Sequence, residues 1–477
     1  MAATPPILNF VPSVSINDID VPVFRWHCTR PAYGSVGAVR LYLAREAMLA
    51  AGINIYQIGV TAKGQVPIKV SVRDLDKGVE HLLFGGELDS IDVDYDSDVV
   101  IVNGRDWAGL LVDEKGSPAY RQTFQVGSNT PGAPGVSNSA APCNSAGKVA
   151  PTGAASTVDA TVLAVDNGVN VLSQTPSSLA YMIAVRNGFN PIVYATPNEI
   201  MLGDIFGAAG ANVTEAKPWW DWLQFAARMM GWACYVTPER SLYFGPFDMT
   251  NIAHLSWGAN APATGSIPCR DLHITYNPRR NSSFLVLVGG VDHGTAEQTV
   301  GVVATIDPGT LKTLQEVYPQ VKVTNGKYII GAAGAQSPFS LAAYFSNLGK
   351  PVYYYNIQNL TANQAAAKAF EYMLDIAKRE LVLKTVVDGN PSIVPMQTVN
   401  LEVVSNAPTD FPNTQYYVNG VEHTYSIEEG WYTHISAWTL PPVTTTQFLA
   451  ANNINGVSMT SEAATLYVPP KVAPPTT

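Results

Sequence analysis

The apolar positions of this chain follow two rhythms. In the first third the period is two. Val66, Ile68, Val70 and Val72 alternate with polar neighbours, as in a strand with one buried face. Ile91, Val93 and Tyr95 alternate with aspartates, and the run Val99 to Val102 follows. Leu82 to Phe84 leads into Gly85-Gly86, which reads as a turn. Short strands this closely spaced predict a small barrel or sandwich. Val36 to Ala51 carries both rhythms: its Ala, Leu, Arg and Glu content favours a helix, while Val39, Leu41 and Leu43 alternate like a strand. From Gln125 to about Ala160, Gly, Pro, Ser, Ala and Asn take over and no period survives, which predicts a long loop.

The helical rhythm comes next. Ser177 to Asn187 sets Leu179, Ile183 and Arg186 at helical spacing and stops at Gly188. In Pro218 to Met230, Trp219, Trp222, Leu223, Ala226, Met229 and Met230 make one apolar stripe. Pro218 suits the first turn of that helix and Gly231 its end. A hairpin follows, from Trp232 to Val236, through a turn at Thr237 to Arg240, and back along Leu242 to Phe244. Strands return at Leu272 to Tyr276, Phe284 to Val288, Leu381 to Val387, Val399 to Val404, Tyr416 to Val421 and Tyr432 to Leu440. One helix interrupts them: Thr361 and Gln364 form a capping box, and Ala366, Ala369, Phe370, Met373, Ile376 and Ala377 share a face. The chain therefore reads as α+β and mainly β. Two β-barrel domains are expected, at 1–124 and at 271–443, the second with an inserted helix. Between them lie a Gly/Pro/Ser-rich loop at 125–160 and an α/β helix-hairpin region at 161–270. A Pro-rich tail at 444–477 is too polar to fold alone and is expected to dock on a neighbouring chain or partner.

Composition narrows the function classes. A chain of 477 residues has room for about two to four domains, and 47% apolar residues is ordinary for a globular protein. Charged residues make up 14%, against a usual quarter, so much of the exterior is expected to be covered by other subunits. The 28 basic and 38 acidic residues leave a net charge of −10, which argues against specific nucleic acid binding. An acidic wall would instead let a DNA strand slide through a pore. Cys28, Cys143, Cys234 and Cys269 are far apart and form no CxxC pair, as expected of free thiols in a protein assembled in cytoplasm. The segment starting Met1-Ala-Ala-Thr-Pro-Pro has no basic run or apolar core, so no signal peptide is expected. Apolar stretches such as Phe284 to Val291 are too short for a membrane segment.

Candidate chemistry is sparse. Asp92, Asp94, Asp96 and Asp98 are spaced like the start of a calcium loop, yet Ser97 stands where such a loop needs glycine and Asn103 where it needs glutamate. Alternate residues of a strand share a face, so a solvated side explains the four equally well. His27 and Cys28 could pair as base and thiol, but neighbours on a strand point to opposite faces. His423 and His434 flank a tight turn and are expected to face one another, without a third ligand for a metal site. Trp219, Trp220 and Trp222 offer either a sugar-stacking platform or core. No HExxH, GxSxG or phosphate-binding glycine loop is present. No residue is expected to be catalytic, cofactor-binding or metal-ligating.

Three segments, in order, resemble the baseplate hub family of contractile phage tails, the late-control-D-like group, which is similar to the hub half of type VI secretion spike proteins. The first is Leu83-Phe-Gly-Gly-Glu-Leu-Asp-Ser-Ile91 with Val99-Val-Ile-Val-Asn-Gly-Arg-Asp-Trp-Ala-Gly-Leu-Leu-Val-Asp113. The second is Trp219-Trp-Asp-Trp-Leu-Gln-Phe-Ala-Ala-Arg-Met-Met-Gly-Trp232 with Leu242-Tyr-Phe-Gly-Pro246, the most specific of the three. The third joins Asn359 to Ala369, Leu381 to Val387, and Tyr417-Val-Asn-Gly-Val-Glu-His423 with Gly430. The resemblance spans about residues 60–440 and matches poorly at 130–160 and 295–350. It implies two tail-tube-like barrels per chain and a homotrimeric ring of six barrels. That ring would join a tail-tube or tube-initiator protein to the central spike, with baseplate wedge proteins around it. It also implies a place in the virion baseplate, no cofactor and no enzymatic activity. The alternative is a carbohydrate-binding or cell-wall-degrading tail-tip protein.

Overall fold

In the computed structural model, the described residues are 10–32, 34–54, 57, 65–116, 175–195, 217–230, 232–245, 252–258, 265–277, 284–292, 297–305, 322–324, 328–332, 352–356, 372, 376, 381–403, 415–439 and 466. Within them the period-two segments are strands. β1 (Phe10–Ile16), β2 (Ile19–Asp20), β3 (Val23–Pro31), β4 (Ala38–Ala44), β5 (Pro67–Asp74), β6 (Glu80–Asp94) and β7 (Val99–Asp106) pair in the order β2-β1-β5-β6-β7-β4-β3. Ile68, Val70 and Val72 point into a core shared with Val14, Ile16, Leu41, Leu43, Val100 and Val102. The ambiguous segment uses both its rhythms in turn, since β4 passes directly into α1 (Arg45–Ala50).

Gly85 and Gly86 do not make a turn. They lie inside β6, which runs on to Asp94. A Cβ on Gly85 would sit 2.0 Å from the Pro238 carbonyl oxygen, and one on Gly86 would sit 2.0 Å from that of Arg105. The pair is there for close backbone approach, not for a change of direction.

α2 (Gly109–Asp113) and β8 (Lys115–Gly116) lead into a helix-hairpin module built from α3 (Pro176–Arg186), β9 (Asn190–Val193), β10 (Lys217–Pro218), α4 (Trp219–Met230), β11 (Ala233–Val236) and β12 (Ser241–Gly245). The Thr175 hydroxyl caps α3 by accepting from the Ser178 amide, and Gly188, at φ 70°, ends the turn after it. Pro218 belongs to β10, paired with Lys115, so α4 begins one residue later than the sequence predicts. Gly231 lies outside the described residues. Trp219, Trp220, Trp222, Leu223, Ala226 and Ala227 pack with Leu179 and Ile183 of α3 against Val193, Leu242 and Phe244 of the sheet. The strand order is β11-β12-β9, with β9 parallel to β12.

The chain then enters the third body through β13 (Ile252–Trp257) and β14 (Ile267–Tyr276). β15 (Phe284–Asp292), β16 (Glu297–Thr305), β17 (Lys322–Thr324), β18 (Tyr328–Ala332) and β19 (Val352–Asn356) form a separate sheet in the order β17-β18-β16-β15-β19. Of the predicted helix near 361–377, Tyr372 and Ile376 are helical and the other positions lie outside the described residues. β20 (Leu381–Asp388), β21 (Thr398–Val403), β22 (Gln415–Ser426) and β23 (Gly430–Thr439) complete a barrel in the cyclic order β22-β21-β13-β14-β20-β23, which the β22–β23 pairing closes. Its interior holds Leu255, Leu383, Val387, Val399, Val418, Val421, Ile435 and Ala437. The chain is thus mainly β, with a closed six-stranded barrel and further strands.

Candidate functional site

The barrel and the N-terminal strands are one continuous sheet because β22 changes partner partway along. Its start pairs with β21, for example Tyr417 with Thr398, and its end pairs with β3, from Gly420 opposite Pro31 to Ser426 opposite Arg25. A bulge between Val418 and Gly420 marks the handover, and there the Asn419 carbonyl accepts from the Ala32 amide at 2.8 Å. Toward its tip the β22–β23 hairpin leaves the barrel core and enters the N-terminal one. Tyr425 stacks on Trp26 with centroids 5.8 Å apart, and Trp431 meets Phe10 edge-on at 5.1 Å. The Trp431 ring lies flat against Gly389, where a Cβ would come within 2.1 Å of it.

The two faces of this seam have opposite character. On the outer face His27 Nε2 meets Glu422 Oε1 at 2.8 Å across the β3–β22 junction, and His434 Nε2 lies 3.2 Å from the Thr424 hydroxyl. A cleft of about 510 Å³ opens beside them, lined among others by Arg30, Asp271, His273, Lys384 and Glu422. On the inner face Cys28 is fully buried, and burial pushes its thiol up to about 12. His423, opposite it, shares a 3.1 Å hydrogen bond between Nδ1 and the Thr433 hydroxyl, and burial lowers its pKa to about 3. Both groups are therefore neutral packing residues near pH 7.

The seam accounts for most of the sequence candidates. His27 and Cys28 point to opposite faces, as strand neighbours must. His423 and His434 do not face one another, against expectation. The hairpin pairs Ser426 with Gly430, which sets Glu422 opposite His434 and Thr433 opposite His423. The intervening turn has three residues, so the register falls one residue away from the predicted pairing. The aspartate series closes the β6–β7 turn. Asp94 accepts from the Asp96 and Ser97 amides and from the Ser97 hydroxyl, and the last of these does most to hold its carboxyl below the usual range. Asp92 accepts from Asn103 at 3.2 Å, while Asp98, at φ 54°, pairs with Arg45 at 3.0 Å. Among the described residues no group of three His, Cys, Asp or Glu is placed to hold a metal ion. Trp219, Trp220 and Trp222 are buried, so they are core and offer no platform.

Two polar features escaped the sequence reading as sites. Arg105 pairs with Glu87, Asp89 and Asp113, tying β6, β7 and the end of α2 together. Asp106 accepts from the Gly37 and Ala108 amides at 2.8 and 2.9 Å, and burial raises its pKa to about 7. Their signal was the Gly-Arg-Asp run of the first motif. For the bulge it was Asn419-Gly420, a turn dipeptide placed inside a strand.

No family model matches the chain, and no curated protein matches its sequence. Solved structures do. The tail protein from Neisseria meningitidis MC58 superposes with a TM-score of 0.52 at 12% identity, over 90% of this chain and 96% of its own. The 43 kDa tail protein of prophage MuSo2 from Shewanella oneidensis gives 0.48 at 14% identity, over 90% and 98%. A chain of the phage P2 baseplate gives 0.28 at 7% identity, over 88% and 89%. The Neisseria likeness shows a shared fold along nearly the whole of both chains. The fold of this chain is therefore that of the Neisseria tail protein.

Proposed function

We propose that this chain is the structural baseplate hub of a phage-type contractile tail. Three copies would form a ring that joins the tail tube, or its initiator, to the central spike, with wedge proteins outside and DNA passing through the centre during injection. The reading places the protein in the virion baseplate after assembly in the bacterial cytoplasm, without enzymatic activity, cofactor, membrane segment or specific nucleic acid contact. Its main support is the tail-protein fold, matched over 90% of the chain.

The barrel joined edge to edge with a second sheet supports the details. Two tube-like units per chain, one before and one after the helix-hairpin module, become six positions in a threefold ring and satisfy closed cyclic symmetry. A charged fraction of 14% suits a surface largely covered by neighbours, and a net charge of −10 suits a lumen that conducts DNA without holding it. No helix among the described residues is long and apolar enough to cross a membrane.

Native mass spectrometry of the protein, alone and with its spike, is expected to show a species near three times 51.1 kDa. A strict monomer in both conditions overturns the ring. Cryo-electron microscopy of intact tails is expected to place the chain between tube and spike, and a position on the sheath or a peripheral fibre ends the proposal. The carbohydrate-binding alternative loses its platform to the burial of the three tryptophans. Sustained release of fragments from purified peptidoglycan would restore the wall-degrading form of it.

A further inference from the structure

The sheet of the helix-hairpin module ends at β9, whose neighbour on one side is β12. The Tyr194 amide, just past β9, donates to the Phe244 carbonyl at 2.9 Å, and its carbonyl accepts from the Ser177 hydroxyl at 2.5 Å. On the opposite edge stands Leu466 of the C-terminal tail, in an antiparallel bridge to Tyr194. We propose that this edge is the docking surface for the chain's own C-terminal segment, with Thr465 to Val468 added as an antiparallel fourth strand.

The backbone chemistry fits that occupant. Both main-chain groups of Tyr194 are already used, so Tyr194 and Leu466 form a pair of the non-hydrogen-bonded type. In an extended chain the groups of Val193 and Ala195 point the other way, toward the incoming strand. Thr465, Leu466, Tyr467 and Val468 are mostly residues that favour strands, and Pro469-Pro470, lacking amide donors, ends the pairing. The receiving edge is held firmly. The Tyr194 ring packs where a Cβ on Gly245 would come within 2.3 Å of it, and it lies 5.7 Å from the Tyr243 ring. An uncovered edge of this kind invites pairing with foreign strands, and a tethered segment prevents it. The bridge joins the tail to its own chain. This inference does not depend on the hub reading.

Two measurements on the full chain test it. A non-hydrogen-bonded pair brings Cα atoms to about 4.5 Å, within disulfide reach. Tyr194→Cys with Leu466→Cys is expected to oxidise to an intramolecular disulfide, identified by peptide mapping at monomer mass. Hydrogen exchange at the Val193 and Ala195 amides is expected to speed up at least tenfold in a chain ending at residue 460. A peptide of residues 461–477 in excess should restore the protection. A disulfide-linked dimer, no intramolecular link, or equal exchange in the two chains overturns the proposal.

Discussion

The barrel and the N-terminal sheet solve the same problem in different ways. Six strands of the barrel close on one another and leave no edge within the ring. The N-terminal strands run from β2 to β3 without pairing back on themselves among the described residues. Their core is completed by Tyr425 and Trp431, at the far end of the hairpin that closes the barrel. One body is self-sufficient in its hydrogen bonding, while the other borrows a wall. The borrowed wall makes the N-terminal third depend on residues near the other end of the chain, a contact with a high entropic cost and slow formation. The two bodies are therefore expected to unfold together.

Trp431→Ala is the strongest way to break that dependence. The side chain is 4% exposed, packs with Phe10, and sits in the N-terminal core although it is covalently part of the barrel. Truncating a buried tryptophan costs about 3–5 kcal/mol. Urea denaturation of the variant should show one transition at lower midpoint, or loss of the N-terminal signal first. Trp438→Ala, on the half-buried outer side of the same strand, should cost much less. Equal effects from the two would mean that the hairpin tip does not complete the N-terminal core.

The next largest effect separates the N-terminal sheet from the helix-hairpin module. Gly85→Ala forces a Cβ against the Pro238 carbonyl, which also accepts from Trp107 Nε1 at 3.1 Å. Overpacking of backbone against backbone costs about 1–3 kcal/mol. Gly420→Ala is the control: no atom lies within 4 Å of its added Cβ, and the change should stay within about 0.5 kcal/mol. Thermal melts of both variants check the contrast.

What the sequence revealed divides along the same line. Local periods identified the strands around Ile68 and Val70, the stripe of α4, and the hairpin from Ala233 to Gly245, because burial on one face leaves a trace in the order of residues. The β3–β22 pairing left no such trace. It joins distant segments through backbone groups that every residue carries. Gly85-Gly86 misled because glycine marks turns and close approaches alike, and which one applies depends on Pro238 and Arg105. The histidine pair failed by a single residue of register, set by the length of one turn. At the site, the opposite orientation of His27 and Cys28 was readable from strand geometry, but the partners Glu422 and His423 were not.

A pH series sharpens the comparison, because the seam and the N-terminal sheet bury titratable groups of opposite sign. His423 stays neutral in the folded chain down to about 3, whereas in the unfolded chain it takes a proton below 6.5. Its contribution to stability is therefore lost as pH falls through that window. Asp106 has the opposite sign. With its folded pKa raised to about 7, it takes up a proton on the native side as pH falls from 7 toward 4, and stability rises. His423→Leu removes the first effect and leaves the second. Relative to the parent chain, the variant should gain on the order of 2–3 kcal/mol between pH 7 and pH 4.5, since a tenfold change in proton affinity is worth about 1.4 kcal/mol. Parallel stability curves for the two chains would show that His423 is not kept neutral by its burial.

The smallest expected effect is at the seam's outer face, where the one ion pair across the junction among the described residues joins His27 to Glu422. The bond from His27 is the main influence holding the Glu422 carboxyl below its usual range. Both side chains are about two-fifths exposed, at 39% and 43%, so water and salt screen the attraction. A double-mutant cycle with His27→Ala and Glu422→Ala should give a coupling of about 0–1 kcal/mol, falling further in high salt. The junction's strength then rests on the β3–β22 ladder beneath the pair and on the borrowed Tyr425 and Trp431. A coupling larger than the loss from Trp431→Ala would reverse that order and make the seam an electrostatic joint.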